Sequence, residues 1–516
     1  MKGREFLVKR IIFASFAILS IFTNLSLGQA AQPKRTSAAA VSAGQKNVEV
    51  PFVNKTLPNG LEVIVLPDAS IPIVTVELDV RNGSFTEPPE FHGLSHLYEH
   101  MFFKPNAAVR VRECEKALTS FTGASNPGCA DIMKLKPQIG DTSYLNQAEQ
   151  ISHYNGSTRE EVVNYFYTTT SQYLAAAIRS INDSVRYPVF DPQEFDQEKQ
   201  IVIGEIDRHE SNPFQYLDQT MKEKLFYKYP TRKDPKGTRE SVRAATIEKM
   251  KLIQSRYYVP NNAALIVTGD VKPEEVFKLA EQIMGNWQPR KVDPFKEFPL
   301  VEHPPLQKSE GIIIEKQIGG QDAAAGQNVF INIGWHGPSI GKDDAGTYAA
   351  DVFSYIIQQP DSRFQRNLVD SGLAASVGFG YYTQRNVGPI NLVVVTTADK
   401  AKQALAGVYK EVNAFANADY FTDEELESAK NILEASDLFD REKLSEYAHT
   451  LGFWWSSTGI EYFRGYHKNL RATSRQDIEK YLKTYVIGKP HIGIALMAPE
   501  ARKTANITEQ DLIGDK

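Results

Sequence analysis

The chain repeats one of its own patterns after about 230 residues. A repeat this long exceeds the 20–45-residue units of solenoid proteins, so it predicts two homologous domains. In both halves strand-like alternation is mixed with runs of helical spacing, which predicts the α+β class: in each domain a mostly antiparallel sheet with helices packed on it. In the first half the pattern consists of Ile247, Glu248, Lys249, Tyr258, Pro260 and 263–268. Its counterpart in the second half consists of Ile478, Glu479, Lys480, Tyr485, Pro490 and 492–497.

Composition limits the possible functions. The 516 residues are 42% hydrophobic, which is ample for packed cores. The net charge is only -5, which gives no reason to expect nucleic acid or an anionic membrane surface as a partner. Two cysteines are too few for a disulfide scaffold or a four-cysteine zinc site.

The N-terminus has the pattern of a targeting segment. Residues 1–30 carry four basic residues among the first ten, continue with an apolar run over 11–23, and end in the small residues Gly28 and Ala30. This predicts a signal peptide that is cleaved, because the apolar run is too short to span a membrane comfortably. The mature protein is therefore expected to be periplasmic or secreted, with no stable membrane anchor and a disordered leader over 31–47.

A five-residue motif in the first half can bind a metal ion. His96 and His100 are four residues apart, so a helix places them on one face, one turn apart. Two imidazole nitrogens can then bind one ion, while Glu99 lies beside them and can act as a general base towards a metal-activated water. A chance occurrence of these residues is the alternative, so the rest of the sequence must supply the remainder of a site.

A catalytic zinc ion needs three protein ligands and an open position. The predicted helix over 194–210 carries Glu198 and Glu205 seven residues apart, and therefore on one face. Its side with Ile201 and Val202 is apolar, so Glu205 beside it would be poorly solvated without a cation. We therefore predict Glu205 as the third ligand of one zinc ion per chain, and Glu198 as a carboxylate that orients a ligand or accepts a proton. The alternative is an ordinary solvated helix face.

Two further features have two interpretations each. His92 lies one turn before His96 and could bind the metal, or it could be a helix-entry or supporting residue. Cys114 and Cys129 lie in a region of irregular sequence over 105–145. In an exported protein they are expected to form a disulfide, which would stabilise the fold by about 3 kcal/mol in the chain-entropy model, and the alternative is two unpaired thiols.

These residues together resemble the pitrilysin/insulysin family of zinc peptidases, which carry the inverted motif H-x-x-E-H and include the mitochondrial processing peptidase. The resemblance spans roughly residues 48–500. It implies that His96, His100 and Glu205 bind zinc, that Glu99 is the base, and that Asn155 holds the substrate backbone. It also implies two domains facing each other across a cleft, with peptides bound as an added strand. The matching segments are 93–104, Asn155, Asn164 with Tyr165, Glu198 with Glu205, 258–270, 362–364, and Gly372 with Leu373.

The sequence departs from the family in two places. The spacing from His100 to Glu205 is longer than usual, and the excess falls in 105–145. The second half of family members commonly presents an arginine and a tyrosine to the substrate, but here the arginine position aligns near Asn391. A second, related subunit could supply these groups, so a homodimer or heterodimer is expected.

The resulting division of the chain has six parts. They are a signal peptide (1–30), a leader (31–47), a catalytic domain (48–292, with the insertion 105–145), a linker (293–309), a homologous non-catalytic domain (310–503) and a tail (504–516).

The leading functional hypothesis is an exported zinc endopeptidase that acts on peptides or unfolded segments. A partner-dependent or non-catalytic peptide-binding subunit is the alternative. A metal-storage or sensing protein is a third possibility, which predicts zinc exchange without a site for peptides.

Overall fold

The computed structural model describes residues 50–119, 128–151, 153–318 and 325–514. The predicted signal peptide (1–30) and leader (31–47) lie outside these residues. Within the described parts of the chain, no helix is both long enough and apolar enough to cross a membrane.

The first sheet belongs to a compact unit made of Pro51–Pro304 and Phe439–Ile460. Its six strands are ordered β1-β2-β6-β3-β5-β4, so β4 is an edge strand. All neighbours are antiparallel except β2 and β6. The strands are β1 (Val53–Thr56), β2 (Glu62–Pro67), β3 (Ile73–Val80), β4 (His153–Thr158), β5 (Val163–Thr170) and β6 (Ala263–Gly269).

The second sheet belongs to the unit that contains Pro305–Leu438 and Glu461–Lys516. Its order is β7-β11-β8-β10-β9, with one parallel pair, β7 and β11. This repeats the order and directions of β2-β6-β3-β5-β4, so the two homologous α+β domains predicted from the internal repeat are confirmed. The strands are β7 (Glu310–Glu315), β8 (Asn328–His336), β9 (Ser376–Tyr381), β10 (Pro389–Thr397) and β11 (Ile492–Met497).

Each unit contains helices as well as its sheet. In the first unit they are Leu94–Phe102, Ala107–Thr119, Cys129–Ile132, Lys136–Ile139, Leu145–Ala148, Leu174–Arg186, Pro192–Glu210, Phe214–Leu225, Arg239–Arg243, Ile247–Tyr257, Pro273–Met284, Pro294–Glu297 and Leu444–Thr458. In the second unit they are Asp344–Gln358, Arg363–Gln365, Asp423–Asp440 (which extends two residues past the unit's boundary), Ala401–Ala414, Ile460–Arg464, Tyr466–Ala472, Arg475–Tyr485 and Pro499–Ala505. Short 3-10 turns lie at Ser84–Thr86, Pro89–Phe91, Met133–Leu135, Ser171–Tyr173, Pro230–Lys233, Pro260–Asn262, Ala325–Gln327 and Asp511–Ile513, and a π turn at Arg366–Asp370.

The two faces of the first sheet are covered differently. Alternate residues of β3, among them Val76 and Leu78, point into the main apolar core with the helix Leu94–Phe102. The intervening residues Glu77 and Asp79 are also buried, on the opposite face. That face is covered by Leu444–Thr458, which we call the covering helix.

The structure divides the chain differently from the sequence-based boundaries. The segment Phe439–Ile460 lies within the predicted second domain, 310–503, but packs with the first unit. The apolar pattern of a helix indicates which of its sides is buried but not which sheet buries it.

The predicted linker and the described part of the predicted tail, up to residue 514, both pack against other parts of the protein. Within 293–309, Asp293 caps the helix Pro294–Glu297 and His303 packs against the rings of Phe226 and Tyr229. Within 504–516, Leu512 is buried and its carbonyl accepts a hydrogen bond from the Tyr409 hydroxyl. These contacts are made with residues far away in the sequence, so local composition did not indicate them.

The described part of the insertion 105–145 forms helices around a small apolar cluster that includes Ala108, Val111 and Ile139. Cys114 and Cys129 are joined by a disulfide, and the structure holds no free cysteine. The loop that this bond closes includes residues 120–127, which lie outside the described residues.

Candidate metal centre

The helix Leu94–Phe102, which we call the histidine helix, begins at a constrained turn. Gly93 has φ +82° there, and a Cβ atom on it would lie 2.7 Å from the Cα atom of Gly237. The buried carboxylate of Glu87 accepts hydrogen bonds from the backbone N–H groups of Gly93 and Ser95. A carboxylate at a helix N-terminus satisfies free N–H groups and complements the helix dipole, so Glu87 fixes where the helix starts.

The helix Pro192–Glu210, which we call the glutamate helix, begins where Asp191 accepts hydrogen bonds from the next N–H groups and Pro192 occupies the first turn. Ile201, expected on the buried side, is 49% exposed. The buried positions are Phe195, Glu198, Val202, Ile203 and Ile206. Of the apolar side used to select Glu205, Val202 is buried as expected and Ile201 is not. Glu198 and Glu205 share a face as predicted.

His96, His100 and Glu205 converge on one point. The Nε2 atoms of His96 and His100 each lie 3.6 Å from Oε2 of Glu205. One ligand atom from each of the three residues lies within 4.8 Å of the other two, and no other such group occurs in the parts of the chain that the structure describes. The structure brings together the three predicted ligands.

This geometry fits a zinc ion. The 3.6 Å separations are too long for hydrogen bonds. They are close to the distance of about 3.4 Å between ligand atoms that tetrahedral bonds of 2.0–2.2 Å imply. Burial, together with the neighbouring His100, lowers the pKa of His96 to about 4, so His96 is neutral at pH 7 as a metal ligand must be. Two imidazoles and one carboxylate leave a fourth position open for water.

Glu198 is a buried carboxylate that contacts one of the three predicted metal ligands. It is 4% exposed, and its Oε2 lies 3.0 Å from Nδ1 of His100 while its Oε1 forms an ion pair with the ammonium group of Lys104. A histidine that binds a metal through Nε2 usually donates its other N–H to a carboxylate, which fixes the ring. Glu198 holds His100 in this way, and Lys104 compensates the buried negative charge.

We expect the Lys104→Met variant to bind zinc more weakly, by up to the roughly 10–100-fold that losing a partner of a metal ligand costs, because Lys104 acts through Glu198. Without Lys104, Glu198 is a buried carboxylate without its cation and holds His100 less firmly. Zinc competition against a chelator of known affinity measures the change. Lys199→Met is the matched control, because Lys199 lies next to Glu198 in the sequence but pairs with Asp196. An unchanged affinity in Lys104→Met would contradict this role.

Glu99 lies between the two histidines in the sequence and contacts β4 in space. Its Oε2 accepts a hydrogen bond of 2.9 Å from the Thr158 hydroxyl. A Cβ atom on Gly156 would lie 2.9 Å from Cγ of Glu99, so only glycine leaves room for this side chain. Burial raises the pKa of Glu99, and the Thr158 hydrogen bond opposes that shift. The carboxyl is therefore suited to hold and release a proton.

His92 is not part of the metal cluster. Its Nε2 lies 3.0 Å from the backbone oxygen of Asp234 and 3.4 Å from its carboxylate. Of the two interpretations of His92, the geometry favours the supporting residue.

Asn155 lies on the exposed edge strand β4. Its Oδ1 accepts a hydrogen bond from the backbone N–H of Gly156, and its neighbour across the pair with β5 is Phe166. The far edge of β4 pairs with no other strand of the described residues. An extended peptide can add to an edge of this kind through main-chain hydrogen bonds.

Three residues that contact this site were not predicted from the sequence: Lys104, Gly156 and Thr158. Lys104 and Gly156 stand beside predicted residues, but nothing in a single sequence shows what they touch. Thr158 lies 59 positions from Glu99, and only the pairing of β4 with β5 brings it there.

The fold and the cluster together give two related α+β domains, the first of which carries three residues arranged to hold a metal ion. Two family models match the chain: "Insulinase (Peptidase family M16)" over residues 63–129 and 140–234, and "Peptidase M16 inactive domain" over 244–433. The chain belongs to the M16 peptidase family, which confirms the resemblance to the pitrilysin/insulysin peptidases.

Individual relatives agree with this assignment. The zinc protease PqqE of Helicobacter pylori is 23% identical over 388 residues, which covers 74% of this chain and 74% of that protein. The solved structure of a protease from Helicobacter pylori has a TM-score of 0.68 and 18% identity, covering 86% of this chain and 99% of that one. The first half of the periplasmic protease PqqL from Escherichia coli has a TM-score of 0.66 and 15% identity, covering 90% of this chain and 96% of that one. The two structural likenesses show a shared fold.

Proposed function

We propose that this chain is an exported zinc endopeptidase that hydrolyses peptides or unfolded polypeptide segments. The observation that carries the proposal is the convergence of His96, His100 and Glu205 beside Glu99, next to the exposed edge strand β4. Three ligands with a neighbouring general base and a strand edge are the parts that metal-dependent peptide hydrolysis requires.

His96, His100 and Glu205 would hold the ion. When bound there, zinc would acidify water and polarise the peptide carbonyl. Glu99 would take a proton from the attacking water and return it to the leaving amine. Thr158 holds one carboxylate oxygen of Glu99, which leaves the other free for this transfer.

The substrate would bind as an extended strand along β4. Main-chain hydrogen bonding at a strand edge selects for segments that can become extended, and so for peptides and unfolded chains over folded domains. Asn155 would hold the substrate backbone, because it lies on that edge with an exposed side chain.

A second subunit would complete the site. Asn391, at the position aligned with the family's arginine, lies in β10 between β8 and β9. A chain of this size resembles the first half of a longer protease in one of the structural neighbours. We propose that a related chain, either a second copy or a distinct subunit, supplies the missing groups.

A partner-dependent or non-catalytic peptide-binding subunit is the second candidate function. Two observations favour it. The described part of the second unit carries no metal-binding cluster, and residue 391, at the position aligned with the family's arginine, is asparagine.

Export is proposed from the N-terminus. Residues 1–30 combine a basic head, a short apolar run and small residues at the end, which is the pattern of a cleaved signal peptide. We propose a periplasmic or secreted mature protein with a zinc ion as its cofactor.

The test uses purified protein lacking residues 1–30, loaded with zinc and mixed with an unstructured peptide. It is assayed alone and with a related chain that lacks H-x-x-E-H, and the products are identified by mass spectrometry. The proposal expects internal cleavage that a chelator abolishes. Peptide binding without cleavage in both assays would support the second candidate, and cleavage that persists in chelator would overturn the metal-dependent mechanism.

A further inference from the structure

The covering helix Leu444–Thr458 lies on the face of the first sheet opposite the histidine helix. Its first carbonyl, from Leu444, accepts a hydrogen bond from Thr268 of β6. Near its other end, the indole N–H of Trp455 donates to Glu62 of β2 over 2.8 Å. Between these points Gly452 lies against β3, and a Cβ atom on it would lie 2.4 Å from the carboxylate of Asp79.

Two buried carboxylates of β3 face this helix. Glu77 is 0% exposed and Asp79 is 1% exposed. Nδ1 of His449, in the covering helix, lies 2.5 Å from Oε2 of Glu77. Burial alone would lower the pKa of His449, but the charge and hydrogen bond of Glu77 outweigh burial and raise it. Burial and the neighbouring Glu77 raise the pKa of Asp79. His449 and Glu77 therefore form an ion pair, and the charge of Arg159 acts on both His449 and Asp79.

This pair continues into a line of hydrogen bonds across the sheet. Oε1 of Glu77 accepts a bond of 2.7 Å from the side-chain amide of Asn164 in β5. The other end of that amide, Oδ1, accepts a bond of 2.6 Å from the hydroxyl of Ser157 in β4. An ionised carboxylate can only accept hydrogen bonds, so Glu77 sets which end of the Asn164 amide faces Ser157.

Ser157 belongs to the strand that contacts Glu99. Successive side chains of a strand point to opposite faces, so Ser157 points towards the covering helix while Gly156 and Thr158 point towards the histidine helix. Thr158 bonds to Glu99, and Gly156 leaves the room that Glu99 occupies. A shift of β4 would therefore move both contacts of the proposed base.

We propose that His449 is a positioning residue for the edge strand β4 and, through it, for Glu99, acting along the line Glu77, Asn164 and Ser157. The catalytic part of this proposal rests on the proposed function, while the effect on β4 does not. His449 touches neither the substrate edge nor the metal ligands. Besides Glu77 it contacts two residues of β5: its Nδ1 lies 3.2 Å from Nδ2 of Asn164, and its ring centroid lies 4.6 Å from that of Phe166. It therefore acts on β4 through β5.

The physical reason is the charge of Glu77. Without His449, the buried carboxylate of Glu77 loses its ion-pair partner, and the cost of burying its charge is no longer compensated. The carboxylate then turns towards water or another donor, so its Oε1 no longer holds the side-chain amide of Asn164, and that amide can rotate. Ser157 then loses its acceptor, and β4, which pairs only with β5 among the described strands, is held less firmly.

The first arm of the test is hydrogen exchange of the backbone amides of full-length zinc-loaded protein. In His449→Gln and in Ser157→Ala we expect the β4 amides to exchange about five- to tenfold faster, with the amides of β1 and β2 unchanged. Trp455→Phe is the control, because it removes the bond of the same helix to Glu62 without touching the line to β4. The double variant Glu77→Gln with His449→Gln restores a neutral hydrogen-bonded pair, and slow exchange should return.

The second arm measures peptide cleavage. His449→Gln and Ser157→Ala should each lower kcat about five- to tenfold with zinc affinity unchanged. Combined, they should lower kcat no further than either does alone, because residues on one line are not additive. Trp455→Phe and Ser157→Ala should be additive.

The outcomes separate this inference from the proposed function. A wild-type protein that cleaves no peptide would end the proposed function, and the exchange arm would still decide the role of His449. Wild-type exchange at β4 in His449→Gln and Ser157→Ala would overturn the inference. Equally faster exchange of the β4 amides in Trp455→Phe would overturn it as well, because the covering helix would then stabilise the whole sheet and not β4 through His449.

Discussion

A Glu99→Gln variant is expected to cleave peptides about 10²–10⁴-fold more slowly than the wild type, which is the range that general acid–base catalysis contributes. The amide has nearly the shape of the carboxyl and can keep the contact with Thr158, but it cannot accept and return a proton. Since Glu99 is not in the ligand cluster, zinc binding should be unchanged. The loss should therefore appear in kcat.

The measurement is a steady-state assay on an unstructured peptide, with zinc content determined on the same samples. Glu113→Gln is the matched control, because Glu113 is exposed and its ion pair is with Arg110 in the adjacent turn. Full activity in Glu99→Gln would rule out the proposed base.

A Glu205→Gln variant is expected to lose zinc affinity by more than the roughly 10–100-fold that outer contacts contribute. Glu205 supplies the only negative charge among the three ligands, and its Oε2 is the atom on which both Nε2 atoms converge. The proximity of His100 lowers the pKa of Glu205, so the carboxylate is ionised at neutral pH and ready to bind a cation. Gln keeps the shape but removes the charge.

Isothermal titration of metal-free protein with zinc measures this loss. Glu210→Gln, on the same helix, is the control, because its carboxylate is bound by the guanidinium of Arg239 at 2.7 and 2.9 Å. Wild-type zinc affinity in Glu205→Gln would show that the third ligand lies elsewhere.

The parts of this site that the sequence predicted are those set by helical spacing. His96 and His100 are four positions apart and Glu198 and Glu205 are seven apart, and these offsets fix shared helix faces whatever the rest of the fold does. The internal repeat likewise predicted two related sheets, and the matching strand orders confirm them. Both predictions depend on local geometry or on self-similarity, which one sequence contains.

The parts that the sequence did not predict depend on long-range packing. Ile201 was placed inward on the glutamate helix by its apolar character, yet it is exposed, because which stripe of a helix is buried depends on its neighbours. The covering helix packs with the first sheet although its sequence lies in the second half, and His449 meets Glu77 across 372 positions. No spacing rule connects such residues.

The most direct test of the account is the cleavage rate of wild-type protein as zinc is added back to a chelated, metal-free sample. The account predicts no cleavage without metal, a rate that rises in proportion to added zinc, and a plateau at one zinc per chain, with the proposed partner subunit present if the chain alone is inactive. Cleavage that continues in the metal-free sample, or zinc bound at His96, His100 and Glu205 without cleavage in any subunit combination, would contradict it.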